Sequence, residues 1–242
     1  MMELKPIGVV RSGITGRKQM PSLGAPGEIE IFPEFADGLL RLEKHSHIWV
    51  LAWLDRAERD VLQVTPRGVA DRGPAGLHGV FAVRSPARPN PIGLTVCRVA
   101  HRDGLRISVD RLDFLDGTPV IDVKPYFVTR DAILAANTAQ IGKPASREAL
   151  RESLTLQALH FHGELCQELQ RGVGIIERFR WEQLAASEPP LWDVSVPLHR
   201  PCLIDAIMGM TRATPGRGSL RLHTGNSVVI AHGGQNYRYE LE

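Results

Sequence analysis

Cysteine is scarce. Only Cys97, Cys166 and Cys202 occur in 242 residues, and no two are spaced CxxC. Three thiols cannot close a disulfide framework, so a stapled secreted scaffold is excluded and a reducing cytoplasm is the expected compartment. Long apolar runs are also missing. The longest, Ile48–Leu54, falls far short of the roughly 20 residues of a membrane span. The opening Met1-Met2-Glu3-Leu4-Lys5-Pro6 carries no signal-peptide apolar segment, so neither membrane insertion nor export is expected. Strong net charge is absent too, with 29 basic against 27 acidic side chains. The chain holds no Walker loop, no GxSxG elbow and no HExxH. Gly172-Val-Gly174 lacks both the third glycine and the preceding strand of the dinucleotide fingerprint, which argues against a doubly wound nucleotide domain.

What is present is a 43% hydrophobic chain, too apolar for disorder, with glycine and proline in no collagen-like period. Residues 5–130 read as short strands. These are Ile7–Val10, Gly27–Phe32 with its period-two alternation, Ser46–Leu54, Val80–Val83, Gly93–Ala100, Leu105–Leu112 and Thr118–Val123. Turn signals at 22–27, 73–76, Asp103-Gly104 and Asp116-Gly117 separate them. Such punctuation predicts a sheet-rich, barrel-like domain.

After Tyr126 the period changes. Leu150, Leu154, Ala158, His162, Leu165, Cys166, Leu169 and Val173 recur at helical spacing, which predicts one long helix over 146–172. A second helix is expected over 177–186, ended by Pro189-Pro190. A strand at 192–196, a helix from about Pro201, a turn at 215–218 and strands toward 228–231 follow. The expected fold is α+β: a small β-barrel over 1–135 and an α+β domain over 136–242.

Charge is uneven along the chain. Seven arginines face two aspartates between 65 and 106, which suits a phosphate- or carboxylate-bearing partner or, equally, a solvated surface. In that span only Phe81 offers a ring for base stacking. The same span holds Arg84-Ser85-Pro86-Ala87-Arg88-Pro89-Asn90-Pro91-Ile92-Gly93. Three prolines in six residues stiffen this loop and pre-organise its polar groups for a small ligand. A rigid connector with surface-paired arginines is the plainer alternative. Gly93 is read as a place of close backbone or ligand approach.

This segment resembles the signature of the TrmO family, also called YaeB-like or TsaA-like. A second stretch, Leu112-Asp-Phe-Leu-Asp116-Gly117-Thr118-Pro119 through Tyr126, is similar to that family's other signature. Ile7–Ser12 and Ser46-His47-Ile-Trp49 fit in the expected order. The resemblance implies a homodimeric β-barrel that binds S-adenosylmethionine near the subunit interface and methylates N6 of a tRNA adenosine beside the anticodon. By the same resemblance Gln19, His47, Arg84, Ser85, Arg88, Asn90, Pro91, Ile92, Gly93, Leu112, Asp116, Gly117 and Thr118 would form the cofactor site. His47 reads equally well as a strand histidine paired with a neighbour. Asn90 or Asp116 would accept a hydrogen bond from the adenine amine and localise its lone pair. Two rivals stand beside tRNA methylation: methylation of a small molecule or metal-bound ligand, and a non-catalytic S-adenosylmethionine sensor.

In the second half, His162 and Cys166 stand four residues apart, a metal-ligand spacing. Phe161–Cys166 and Cys202-Leu-Ile-Asp205-Ala206-Ile207 resemble the FmdE-like domain. The resemblance implies Cys202 as the third ligand of zinc or another transition metal, with Asp205 beside it as a ligand or as a partner of one. Glu164, Gln167-Glu168 and Ala213 depart from that pattern. Burial of His162, Cys166 and Cys202 as core residues is the alternative.

Overall fold

A computed structural model describes residues 3–136 and 138–241. The chain divides into two compact units, one comprising the chain to Pro66 with Asp71–Ile133, the other Arg67–Ala70 with the remainder from Leu134.

The first unit is a closed barrel. Its strands are β1 (Gly8–Arg11), β2 (Ala25–Ile31), β3 (His47–Trp53), β6 (Ile92–Asp103), β7 (Arg106–Leu112) and β8 (Pro119–Pro125), in the order β1-β2-β7-β6-β3-β8. Two short strands, β4 (Gln63–Val64) and β5 (His78–Gly79), pair with each other apart from it. Alternation does the folding. In β3, Ile48, Val50 and Ala52 are sealed inside while His47, Trp49, Leu51 and Trp53 face outward half-buried. Val10, Ile29, Cys97, Ile107, Leu112, Phe114 and Val120 complete the interior. Closure leaves no unpaired sheet edge. One expected strand does not form: Val80–Val83 lies in a turn closed by the Ala82 amide donating to the Gly79 carbonyl, and the strand stops at Gly79.

Every neighbouring pair around the barrel is antiparallel. The segments leaving β1, β3 and β7 and entering β2, β6 and β8 therefore emerge from the same rim. That topology brings residues 12–24, the excursion after Trp53 and residues 113–118 to one end.

After a single turn, α1 (Val128–Asp131), the second unit begins. It contains α2 (Arg147–His162), α3 (Gln167–Leu184), β9 (Val194–Pro197), α4 (Pro201–Thr211), β10 (Leu220–His223), β11 (Ser227–His232) and β12 (Gln235–Glu240). The strands form one sheet in the order β10-β9-β11-β12. Leu154, Ala158, Leu169, Ile176, Phe179, Leu203, Ile207 and Met210 pack in one core with Val194, Val196, Val228 and Ile230. Close helix approach depends on Gly172, where a Cβ would stand 3.1 Å from both Ala206 Cβ and Leu203 Cδ1.

The long helix expected over 146–172 is two helices. Gly163 takes φ 95°, a left-handed C-cap that suits glycine, and Cys166 then caps α3, its Sγ accepting the Leu169 amide at 3.3 Å. The second helix accordingly starts at Gln167, and it ends at Leu184, ahead of the proline pair, where Ala185 and Ala186 turn left-handed. No helix among the described residues is long and apolar enough to cross a membrane.

Candidate functional site

The Arg84–Gly93 segment runs along the barrel rim and is held from within. The Arg88 guanidinium donates through Nη2 to the carbonyls of Val80 and Val83. Its backbone amide donates to the Glu58 carbonyl at 3.1 Å, and the Leu54 amide donates to the Pro91 carbonyl at 2.8 Å. Arg88 is thus a brace that fixes the loop. Arg84, Ser85 and Asn90, by contrast, have no side-chain partner among the described residues. A stiff backbone carrying unengaged polar side chains is the arrangement that a pre-organised ligand site requires.

The 113–118 turn stands at the same rim. Asp116 Oδ1 accepts the Ser12 amide at 3.1 Å and the Gly13 amide at 3.5 Å, tying the β1 exit to the β7 exit. Gly117 adopts φ 79°, and Thr118 is buried. Thr95 donates to Asp113 across the rim, close to the buried Phe114 ring. Arg56, which no motif singled out, reaches this turn: its Nη2 is 3.8 Å from where a Gly117 Cβ would stand, and it has no carboxylate partner among the described residues. The available sequence signal was weak, a single arginine just past a buried strand.

The other expected site residues stand as follows. His47 opens β3, so it lies at the end of the barrel away from the rim loops, its Nδ1 2.9 Å from Ser46 Oγ and its ring beside Tyr126. Burial holds its pKa below the usual histidine value, ahead of the opposing pull of Asp110. Leu112 reaches the rim, but its side chain is fully enclosed in the barrel core. At Gly93 the chain packs closely: a Cβ there would come within 2.4 Å of Phe114 Cε1. Gln19 closes its own turn, its Oε1 accepting the Gly16 amide at 3.2 Å. Pro91 is buried and Ile92 is exposed at the start of β6.

Outside the barrel, β3 and β6 pair Trp53 with Ile92, Leu51 with Leu94 and Trp49 with Val96 on the outward face. Ile92 and Leu94 are exposed and the tryptophans half-buried, which makes a continuous apolar strip.

In the second unit His162, Cys166 and Cys202 meet, with one donor atom from each lying within 4.8 Å of the others. They come from three places: the last turn of α2, the N-cap of α3 and the first turn of α4. His162 and Cys166 do not share one helix face, as the spacing had suggested; they approach because the Gly163 turn folds Cys166 back toward His162. Their separation is 3.5 Å from Sγ to Nε2. A groove of roughly 410 Å³ on the open face of the sheet carries none of these residues. Its Arg221 is paired with Asp193, and its Arg238 donates to Ser227 Oγ at 3.0 Å.

Residues 10–132 match the family described as the tRNA-methyltransferase O N-terminal domain, and the chain belongs to that family. Family and relatives together point to S-adenosylmethionine-dependent methyl transfer, with the acceptor left open. The chain is 39% identical over 231 residues to a probable S-adenosyl-L-methionine-binding protein of Archaeoglobus fulgidus, a match that takes in 91% of this chain and 61% of that relative's length. A second, S-adenosyl-L-methionine-binding protein of the same organism is 46% identical over 136 residues, 54% of this chain and 94% of its own. The tRNA (adenine(37)-N6)-methyltransferase of Escherichia coli strain K12 is 30% identical over 174 residues, 64% of this chain and 74% of its own.

Proposed function

We propose that this chain is a cytoplasmic S-adenosylmethionine-dependent methyltransferase whose acceptor is N6 of a tRNA adenosine next to the anticodon. What supports the reading is a topology in which the Arg84–Gly93 loop, braced by Arg88, and the Asp116–Thr118 turn belong to connections at the same end of the barrel. The likeness to the Escherichia coli enzyme supplies the acceptor.

The reaction asks little of the protein beyond placement. Held at the rim by Arg84, Ser85 and Asn90, S-adenosylmethionine would supply the methyl group: the amine nitrogen would take it in line, the C–S bond would break to leave a neutral thioether, and the amine proton would pass to Asp116 or to solvent. Positioning alone supplies much of the rate. The adenine amine is a poor nucleophile because its lone pair is delocalised into the ring. The Asn90 side-chain oxygen, or the Asp116 oxygen not engaged by the Ser12 and Gly13 amides, accepts from the amine N–H and localises that pair. Rim cations without internal partners, Arg56 and Arg84 among them, suit phosphate contacts.

Two copies complete the unit in this reading. The outward Trp49–Val96, Leu51–Leu94 and Trp53–Ile92 strip supports a homodimer with the cofactor near the interface. The second unit reads as an FmdE-like domain with zinc or another transition metal held by His162, Cys166 and Cys202, a nitrogen–sulfur donor set that fits such an ion. A bound ion of this kind supplies Lewis acidity and cross-links three helix ends.

Incubation of the protein with methyl-labelled S-adenosylmethionine and total tRNA, followed by nuclease digestion and nucleoside chromatography, tests the reading. Label in an N6-methylated adenosine is the expected result. Cofactor binding without transfer to any RNA contradicts it and leaves the sensor.

A further inference from the structure

The cluster in the second unit contains a fourth residue with a defined relation to the other three. Asp205, one turn along α4 from Cys202, places Oδ2 at 3.1 Å from His162 Nδ1. The imidazole is nearly enclosed, with its side chain 10% exposed, whereas the carboxylate is 46% exposed. Asp205 is not one of the residues whose donor atoms share the 4.8 Å group. It touches the histidine from the far side of the ring, while Nε2 faces Cys166 Sγ at 3.5 Å.

The geometry points to Asp205 as a positioning residue for a metal ion, an inference that rests on the metal reading above. By accepting the Nδ1 proton it fixes the tautomer in which Nε2 carries a lone pair, aims that lone pair at the thiol pair, and raises the basicity of the ring toward a cation. Donors around a tetrahedral zinc stand about 3.3–3.8 Å apart, given bond lengths of about 2.0–2.3 Å. The His162–Cys166 contact already has that spacing. With Asp205 committed to the imidazole, the protein supplies one nitrogen and two sulfurs among the described residues, and the fourth position is left to an exchangeable ligand such as water.

The test uses the full-length untagged protein, stripped of metal and titrated with zinc against a chromophoric chelator, then with cobalt(II) followed by absorption. Wild type is expected to bind one ion, with thiolate-to-cobalt charge-transfer bands. Asp205→Ala is expected to bind the same single ion about 10–100-fold more weakly while retaining those bands. Asp205→Asn, which keeps an acceptor oxygen, should recover part of the loss. Added cyanide should shift the cobalt ligand-field bands of wild type through the open position. Wild-type affinity in both variants overturns the positioning role and leaves the metal site standing. Loss of the tetrahedral cobalt spectrum in Asp205→Ala alone, with circular dichroism unchanged, shows Asp205 to be a ligand and overturns the inference from the other side. No metal bound by wild type removes the metal reading itself.

Discussion

In the second unit, Arg147 and Arg151 close on the fully buried Glu177, Arg171 and Arg200 share Glu168, Arg178 meets Glu182, and Arg212 meets Glu188. In the connections at the barrel rim, Arg17, Lys18, Arg56 and Arg84 have no such partner among the described residues, and Arg59 lies over the Trp53 ring instead. Toward the opposite end of the barrel, Arg106 pairs with Glu28 and Glu30, and Arg102 with Glu43. The same residue type therefore does two jobs. Paired arginines knit a helical unit together, and rim arginines without carboxylates remain available to an anionic ligand.

The comparison can be broken by mutation. The largest stability loss belongs to Glu177→Ala, which frees two arginines around a buried position. With Arg147 and Arg151 themselves half in solvent, the cost is about 2–3 kcal/mol in urea unfolding. Arg88→Ala, leaving the Val80 and Val83 carbonyls without their donor, costs about 1–3 kcal/mol, whereas Arg84→Ala stays within about 0.5 kcal/mol of wild type. Equal costs for the two would erase the distinction between brace and ligand contact. Gly93→Ala drives a methyl into the Phe114 ring and costs about 1–3 kcal/mol, measured as a lower urea midpoint.

Smaller effects sharpen the contrast by chemistry. Burial pushes the Cys97 thiol up to about 12, so iodoacetamide on native protein should label the half-buried Cys166 and Cys202 well before Cys97, as read by peptide mass spectrometry. His47 should titrate below 6.5 by NMR because burial disfavours its charged form. The sign follows: as pH falls below 6.5 the unfolded chain takes the proton first, so the barrel loses a little stability until the folded ring also titrates. A His47 midpoint above 6.5 contradicts that account.

Much of the barrel was legible as strand: β2 shows its inward Ile29 and Ile31 alternating with Glu28 and Glu30 directly in the chain, whereas β3 is an unbroken apolar run whose inward Ile48, Val50 and Ala52 only the fold distinguishes. The proline-stiffened loop was legible for the same kind of reason, since its backbone restriction is local. Three things were not. The break at Gly163 was hidden because Leu169 and Val173 happen to continue the spacing of Leu150, Leu154 and Ala158 across it. The division of labour between Arg84 and Arg88 depends on carbonyls that the fold brings near, not on residue type. The crowding at Gly93 comes from the Phe114 ring, which only the fold brings beside it.

The central claim is that the rim loop binds S-adenosylmethionine, and calorimetry tests it most directly on wild type and an Arg84→Ala/Asn90→Ala variant. Neither side chain has an internal partner, so the variant should fold and melt as wild type does. The account predicts one cofactor per chain for wild type and a loss of at least about 100-fold in the variant, roughly the cost of removing two polar anchors. Undiminished binding by the variant, or none by wild type, contradicts it.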